Sequence, residues 1–298
     1  MARSQRWAAT GRALRALALA GIATAAGGAI ADAAEPHDWQ IGFQRAATPV
    51  EARLEAFNNK LTIIIILITA LVLGVLLYTM WRFHHRRHPV PTHTSHNLPL
   101  ELLWTLIPIL ILVIIAVPSF KLMYYMARVP KDAMTIRITG HQWYWSYAYP
   151  DAGGLAFDSN LVQDANLKPG QPRLLTVDNP LVVPVDTDIK VEITSTDVMH
   201  DWFVPSFGVQ EYAIPGRINP SWFNIERPGI YRGQCDQLCG LNHAFMPIEV
   251  KAVSKDEFKR WLVAAKKQFA QDDSGTAAVR VAAAAGSPAA GRSAAAGN

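Results

Sequence analysis

Two stretches of the chain run without a charge for about the width of a membrane. Residues 61–81 (L-T-I-I-I-I-L-I-T-A-L-V-L-G-V-L-L-Y-T-M-W) and residues 102–120 (L-L-W-T-L-I-P-I-L-I-L-V-I-I-A-V-P-S-F) hold no Asp, Glu, Lys or Arg. As a helix at about 1.5 Å per residue, the first would be about 31 Å long, enough to cross the hydrocarbon core. Thr48-Pro49-Val50-Glu51 predicts where that helix starts, with Thr as cap, Pro in the first turn and Glu three residues on. The segment between the spans, 82–97, carries three Arg, five His and no acid. The positive-inside rule puts it in the cytoplasm and both ends of the mature chain outside. From about residue 125 the period changes to two. Met134, Ile136 and Ile138 alternate with Thr135, Arg137 and Thr139; Ile189, Val191 and Ile193 alternate with Lys190, Glu192 and Thr194. D-A-G-G at 151–154, K-P-G at 168–170 and R-P-G at 227–229 mark turns between such strands. Short strands with regular turns predict a β-sandwich. Ser254 with Glu257 forms a capping box, and Phe258, Trp261, Leu262 and Ala265 give one apolar stripe for a closing helix.

Composition extends this picture at both ends. Arg3, Arg6, Arg12 and Arg15 precede a short Ala-rich run, and A-D-A at 31–33 offers a cleavage site. These predict a cleaved signal peptide over 1–33, against the alternative of an ordinary membrane anchor. Residues 34–124 then form the N-terminal segment and membrane hairpin, and 125–271 an exported domain with its helix. Residues 272–298, mostly Ala, Gly and Ser, predict a disordered tail. Such a chain belongs in a bacterial inner membrane, its folded domain in the periplasm. The net charge of +4 is misleading about partners, because residues 140–250 hold six Lys and Arg against thirteen Asp and Glu, a net −7. A negative field attracts a cationic partner and argues against nucleic acid; an acidic face that merely keeps the domain soluble explains the charge equally well.

The chemistry is concentrated in R-G-Q-C-D-Q-L-C-G-L-N-H-A-F-M-P-I-E, residues 232–249. Cys235, Cys239, His243 and Met246 form a soft nitrogen-and-sulfur donor set that selects copper over magnesium or calcium, and the Met favours copper over zinc. A further His must come from elsewhere, and beyond residue 96 only His141 and His200 remain. Three plainer readings compete. Two Cys in an exported protein favour a disulfide when taken alone, although C-x3-C closes a very small loop. Cys and His also suit zinc, at other spacings, and Met246 would serve as core packing. Each explains part of the set; copper uses all of it.

H-D-W-F-V-P-S-F-G at 200–208, I-P-G-R at 214–217 and the 235–246 loop resemble subunit II of the haem–copper cytochrome c oxidases. The likeness extends back through G-H-Q-W-Y-W-S-Y at 140–147 to G-F-Q at 42–44. It implies a two-helix transmembrane hairpin plus an all-β cupredoxin-like Greek-key sandwich holding a binuclear copper centre. The implied ligands are His200, Cys235, Cys239, His243, Met246 and the backbone carbonyl of Gln237. Trp143 matches the Trp that passes electrons from docked cytochrome c, and Asp178 and Asp197 match acids of the docking face. Read from the residues alone, the aromatic run would be strand packing and either Asp a turn residue.

By position, Glu101 is a helix-start charge; the likeness of E-L-L-W-T-L-I-P makes it the mouth of a proton channel into subunit I. Two departures bear on a magnesium ion that the family holds at the boundary with subunit I. Gln237 stands where Glu is usual and Tyr212 where Asp is common, and magnesium prefers carboxylate and water oxygens. The implied activity is electron entry into cytochrome c oxidase, with oxygen reduction and proton translocation in partner subunits. The implied partners are subunits I and III, soluble cytochrome c and the bilayer. The absence of C-x-x-C-H excludes a fused haem c of that signature. A quinol-oxidase subunit would lack the copper ligands; a tethered copper-delivery protein and a disulfide-bonded module are the rivals of other classes.

Overall fold

In the computed structural model, which describes Pro36 and residues 39–272, the two charge-free stretches lie inside two long helices. Helix α1 spans Pro49–Arg82 and α2 spans Leu98–Ala127. The signal peptide expected over 1–33 lies outside the described residues, as does the expected tail beyond Asp272. The Thr48 hydroxyl caps α1 by accepting the Glu51 N–H at 3.1 Å. With 34 residues, α1 is about 51 Å long, longer than a hydrocarbon core needs. Its charges before Arg82 fall at Glu51, Arg53, Glu55 and Lys60, which leaves the apolar part to span. Large apolar side chains from Ile63 to Trp81 and from Leu98 to Val117 are exposed. Helices apolar and exposed on all sides are membrane spans, and the chain is a membrane protein with two of them.

The expected sandwich follows. One sheet has the order β3-β2-β1-β5-β8, built from β1 (Met134–His141), β2 (Tyr144–Tyr149), β3 (Leu155–Ser159), β5 (Asp188–Ser195) and β8 (Asn219–Asn224). The other has the order β4-β10-β9-β6-β7, from β4 (Leu181–Pro184), β10 (Pro247–Val253), β9 (Gly229–Cys235), β6 (His200–Val204) and β7 (Val209–Ala213). Each sheet contains one parallel pair, β1 with β5 and β4 with β10; its other pairs are antiparallel. Strand β5 shows the predicted alternation, with Ile189, Val191 and Ile193 buried. Between the sheets Trp145, Tyr147, Trp202, Phe207, Phe223 and Tyr231 fill a continuous core. Helix α3 (Lys255–Asp272) starts where predicted, the Glu257 N–H bonding the Ser254 hydroxyl at 3.3 Å. Its Phe258 and Trp261 rings pack on Tyr149.

The sandwich is tied to the tops of both spans. Trp222 Nε1 donates to the Met126 carbonyl at 3.0 Å, and the Arg53 guanidinium lies 3.5 Å from the centre of the Tyr125 ring. Upstream of α1, Ala47 N–H bonds the Ser206 carbonyl and the Thr48 hydroxyl donates to the Phe207 carbonyl. These contacts hold the sandwich against the start of α1 and the end of α2.

Candidate metal centre

Pairing of β6 with β9 brings the candidate ligands together. Trp202 lies opposite Cys235 and Phe203 opposite Gln234, so His200, at the start of β6, reaches the end of β9. Close approach of these strands depends on Gly233, where a Cβ would collide with the Phe203 carbonyl oxygen. Cys235 ends β9, and the loop returns at Pro247, opposite Gln234. The Cys235 N–H bonds the Met246 carbonyl at 3.3 Å, closing the base of the loop. At its tip His243–Phe245 forms a 3-10 turn, with the His243 N–H on the Gly240 carbonyl.

Inside this loop both cysteines are free and buried, with Sγ atoms 3.9 Å apart. Each sulfur has its own imidazole. His200 Nδ1 lies 4.0 Å from Cys235 Sγ, and His243 Nδ1 lies 3.6 Å from Cys239 Sγ. Each also has a weaker donor beside it: the Gln237 carbonyl oxygen is 3.3 Å from Cys235 Sγ, and Met246 Sδ is 3.5 Å from Cys239 Sγ. Among the described residues, His200, Cys235 and Cys239 place their ligand atoms close enough together to hold a metal ion. Burial pushes both thiols up, Cys239 to about 12 with the neighbouring Cys235 adding to the effect. Such thiols stay protonated unless a cation displaces the protons. The donors suit copper: soft sulfur, imidazole nitrogen and a thioether, with His200, Cys235, Cys239 and Met246 buried and His243 half-buried.

The surroundings orient these donors. His200 is wholly buried, and its Nε2 lies 2.8 Å from Asp197 Oδ1, leaving Nδ1 for the sulfur side. Asp197, expected on a docking face, lies against a candidate ligand, where its carboxylate orients the His200 ring. A Cβ at Gly140 would come within 2.9 Å of the His200 ring, so that position must stay small. His141, the other candidate imidazole, stays out of the cluster: it stacks on Tyr144 and bonds Ser146 and Thr196. Trp143 is half-buried, and its indole N–H reaches the Cys239 carbonyl at 3.3 Å.

Other expected residues serve visible structural roles. Exposed Asp178 accepts the main-chain N–H groups of Asn160 and Asn179, each at 2.7 Å, and so organises a turn. Glu101 accepts the Asn97 N–H at 3.1 Å while Asn97 accepts that of Leu100, a reciprocal cap on α2. His96 Nδ1 is also 2.8 Å from the Glu101 carboxylate. Tyr212 is exposed and Gln237 half-buried. Sequence reasoning missed Gln210, whose amide bridges Asp201 and Asp236 at 2.8 and 3.0 Å, next to two candidate ligands in the chain. It also missed Gln142, whose only local signal was its place before Trp143.

Comparison with known proteins gives a consistent picture. The family described as cytochrome c oxidase subunit II, periplasmic domain, matches residues 134–253, and its transmembrane domain matches residues 36–122. A probable cytochrome c oxidase subunit 2 of Rickettsia bellii (strain RML369-C) is 44% identical over 241 residues, 81% of this chain and 90% of that protein. Cytochrome c oxidase subunit 2 of Oenothera berteroana is 45% identical over 240 residues, 78% of this chain and 92% of that protein. Among solved structures, the periplasmic domain of subunit II of cytochrome oxidase of Bradyrhizobium japonicum is 52% identical and covers 48% of this chain and 99% of that one, with a TM-score of 0.45.

Proposed function

Because the chain belongs to the cytochrome c oxidase subunit II family, we propose that it is the electron-entry subunit of a bacterial oxidase complex. In this reading His200, Cys235, Cys239, His243, Met246 and the Gln237 carbonyl hold two copper ions. One observation carries the proposal: two free thiols 3.9 Å apart, each with its own imidazole and its own weaker donor. A single ion would leave part of this set without use. Copper bound there supplies one-electron chemistry, accepting and releasing an electron without a bond being made or broken.

The protein's part is to keep that site rigid and dry. His200, Cys235, Cys239 and Met246 are each at most 6% exposed, which excludes water and opposes metal exchange. That burial favours a fixed centre over a copper-delivery protein, whose ligands need access. Asp197 holds the His200 ring, and the β6–β9 pairing holds His200 against Cys235. Trp143, bonded to the Cys239 carbonyl, offers an aromatic route from the surface for an electron from soluble cytochrome c. The acidic balance of residues 140–250 suits a basic donor. From the centre the electron would pass to haem in subunit I, where oxygen is reduced and proton translocation is coupled, subunit III completing the partners. Glu101 would stand at the mouth of the proton path, with the 82–97 loop in the cytoplasm and both termini in the periplasm.

For a magnesium ion the Gln237 side chain would offer only a neutral amide oxygen, a weaker ligand than the carboxylate it replaces. The proposal is tested on the full chain in detergent by copper content and electron paramagnetic resonance. Two coppers per chain sharing one unpaired electron are expected. A single copper with a mononuclear spectrum, or Cys235 bonded to Cys239 in place of metal, would overturn it.

A further inference from the structure

Between β1 and β2, Gln142 and Trp143 press against the ligand loop from outside. Gln142 Nε2 donates to the Cys239 carbonyl at 2.7 Å, and Trp143 Nε1 donates to the same oxygen at 3.3 Å. The main-chain N–H of Gln142 donates to Asp197 Oδ2 at 2.7 Å, while the other oxygen of that carboxylate lies 2.8 Å from His200 Nε2. One dipeptide therefore touches the backbone of one thiol-bearing residue and, through a carboxylate, the imidazole beside the other thiol. A carbonyl oxygen has two lone pairs, and here two donors use them, which fixes the plane of the peptide following Cys239. Gly240 makes the approach possible. Its φ is +123°, and a Cβ there would come within 3.0 Å of Trp143 Cζ2 and 3.1 Å of Gln142 Nε2.

We infer that Gln142 is a positioning residue for the metal centre, its amide N–H holding Cys239 in place and favouring the reduced form. This rests on the copper reading above. The amide presents the positive end of its N–H dipole to the backbone of a thiolate ligand. A positive dipole close to such a centre stabilises the state carrying the extra electron, as hydrogen bonds around metal ligands do generally. Removing the donor lowers the reduction potential and leaves Trp143 as the remaining side-chain donor to the Cys239 carbonyl.

The test uses the full chain in detergent, loaded with copper, as wild type, Gln142→Ala and Gln142→Glu. Glu keeps the length and volume of Gln but loses the N–H donor and adds a negative charge, whereas Ala loses the donor without that charge. A shift common to both therefore reports the donor; the main-chain bond to Asp197 remains in both variants. Four quantities are read: copper per chain, the paramagnetic resonance spectrum, the reduction potential, and the melting temperature of the metal-free chain. Both variants should melt like the wild type without metal. Both should shift the reduction equilibrium about tenfold toward the oxidised form, ~59 mV for one electron, with altered hyperfine coupling. Lower copper content at an unchanged melting temperature also supports the role. A wild-type potential and spectrum in Gln142→Glu would reduce Gln142 to packing and overturn the inference. If the wild type itself holds no copper pair, the functional reading fails instead.

Discussion

His200 and Asp197 lie three residues apart and meet as imidazole and carboxylate, with Nε2 2.8 Å from Oδ1. The contact fixes which ring nitrogen remains for Cys235, and so gives the acid a role at the metal centre itself. Asp197→Ala should weaken copper binding by about 10- to 100-fold, the usual effect of losing a hydrogen-bond partner of a ligating His. Competition with a copper chelator measures this. Equal affinity in variant and wild type would remove Asp197 from the metal centre.

Trp143 combines an aromatic ring with a bond to the Cys239 carbonyl. Trp143→Ala should slow reduction of the copper-loaded chain by reduced cytochrome c, with the rate expressed per copper bound. Trp143→Phe keeps a ring and removes one hydrogen bond of about 1 kcal/mol, so its effect should be smaller. Stopped-flow mixing distinguishes the two. Unchanged rates in both would remove Trp143 from the electron route.

Glu192 contributes a pH dependence away from the metal centre. A hydrogen bond from Lys190 Nζ at 2.7 Å, helped by Arg137 at 3.4 Å, holds its carboxyl below the usual range despite partial burial. A lowered folded-state pKa stabilises the fold above the unfolded value of about 4.3 and loses that effect as pH falls through the folded value. Glu192→Gln should therefore cost about 1 kcal/mol at neutral pH, and the cost should vanish in acid. Melting curves of both proteins across that range check it. A difference independent of pH would mean that packing, not charge, links these residues.

Gly233 is the steric key to the β6–β9 pair. Any Cβ there meets the Phe203 carbonyl oxygen, and backbone cannot swing aside as a side chain can. Gly233→Ala should destabilise the sandwich by about 3 kcal/mol or more and separate His200 from Cys235, so copper should be lost with stability. A thermal melt with copper analysis reads both. A stable, copper-binding variant would show that the strands can pair further apart.

Features set by local spacing were legible in the sequence. A charge-free run long enough to cross a bilayer needs no partner to be recognised, and α1 and α2 contain both runs. Period-two alternation announced β1 and β5, and the Thr48 and Ser254 caps fall where a hydroxyl precedes a free N–H three residues on. Cys235, Cys239, His243 and Met246 share one loop, so their convergence needed only the loop to close. Glu101 shows the limit of such reading: its reciprocal cap with Asn97 is local and visible, whereas a role in proton uptake depends on a partner chain.

By itself, then, the sequence determined the hairpin, the strand-rich domain and four of the expected ligands, because each depends on residues within a few turns or one loop. Only the tertiary structure decided that His200 joins the thiols while His141 turns away to Tyr144, Ser146 and Thr196. It alone set Asp197 on His200 and Gln142 on Cys239, contacts made across 3 and 97 residues of chain. The physical reason is that a polar side chain is compatible with many partners. Which one it meets is fixed by strand order and register, and those are set by how the whole core packs.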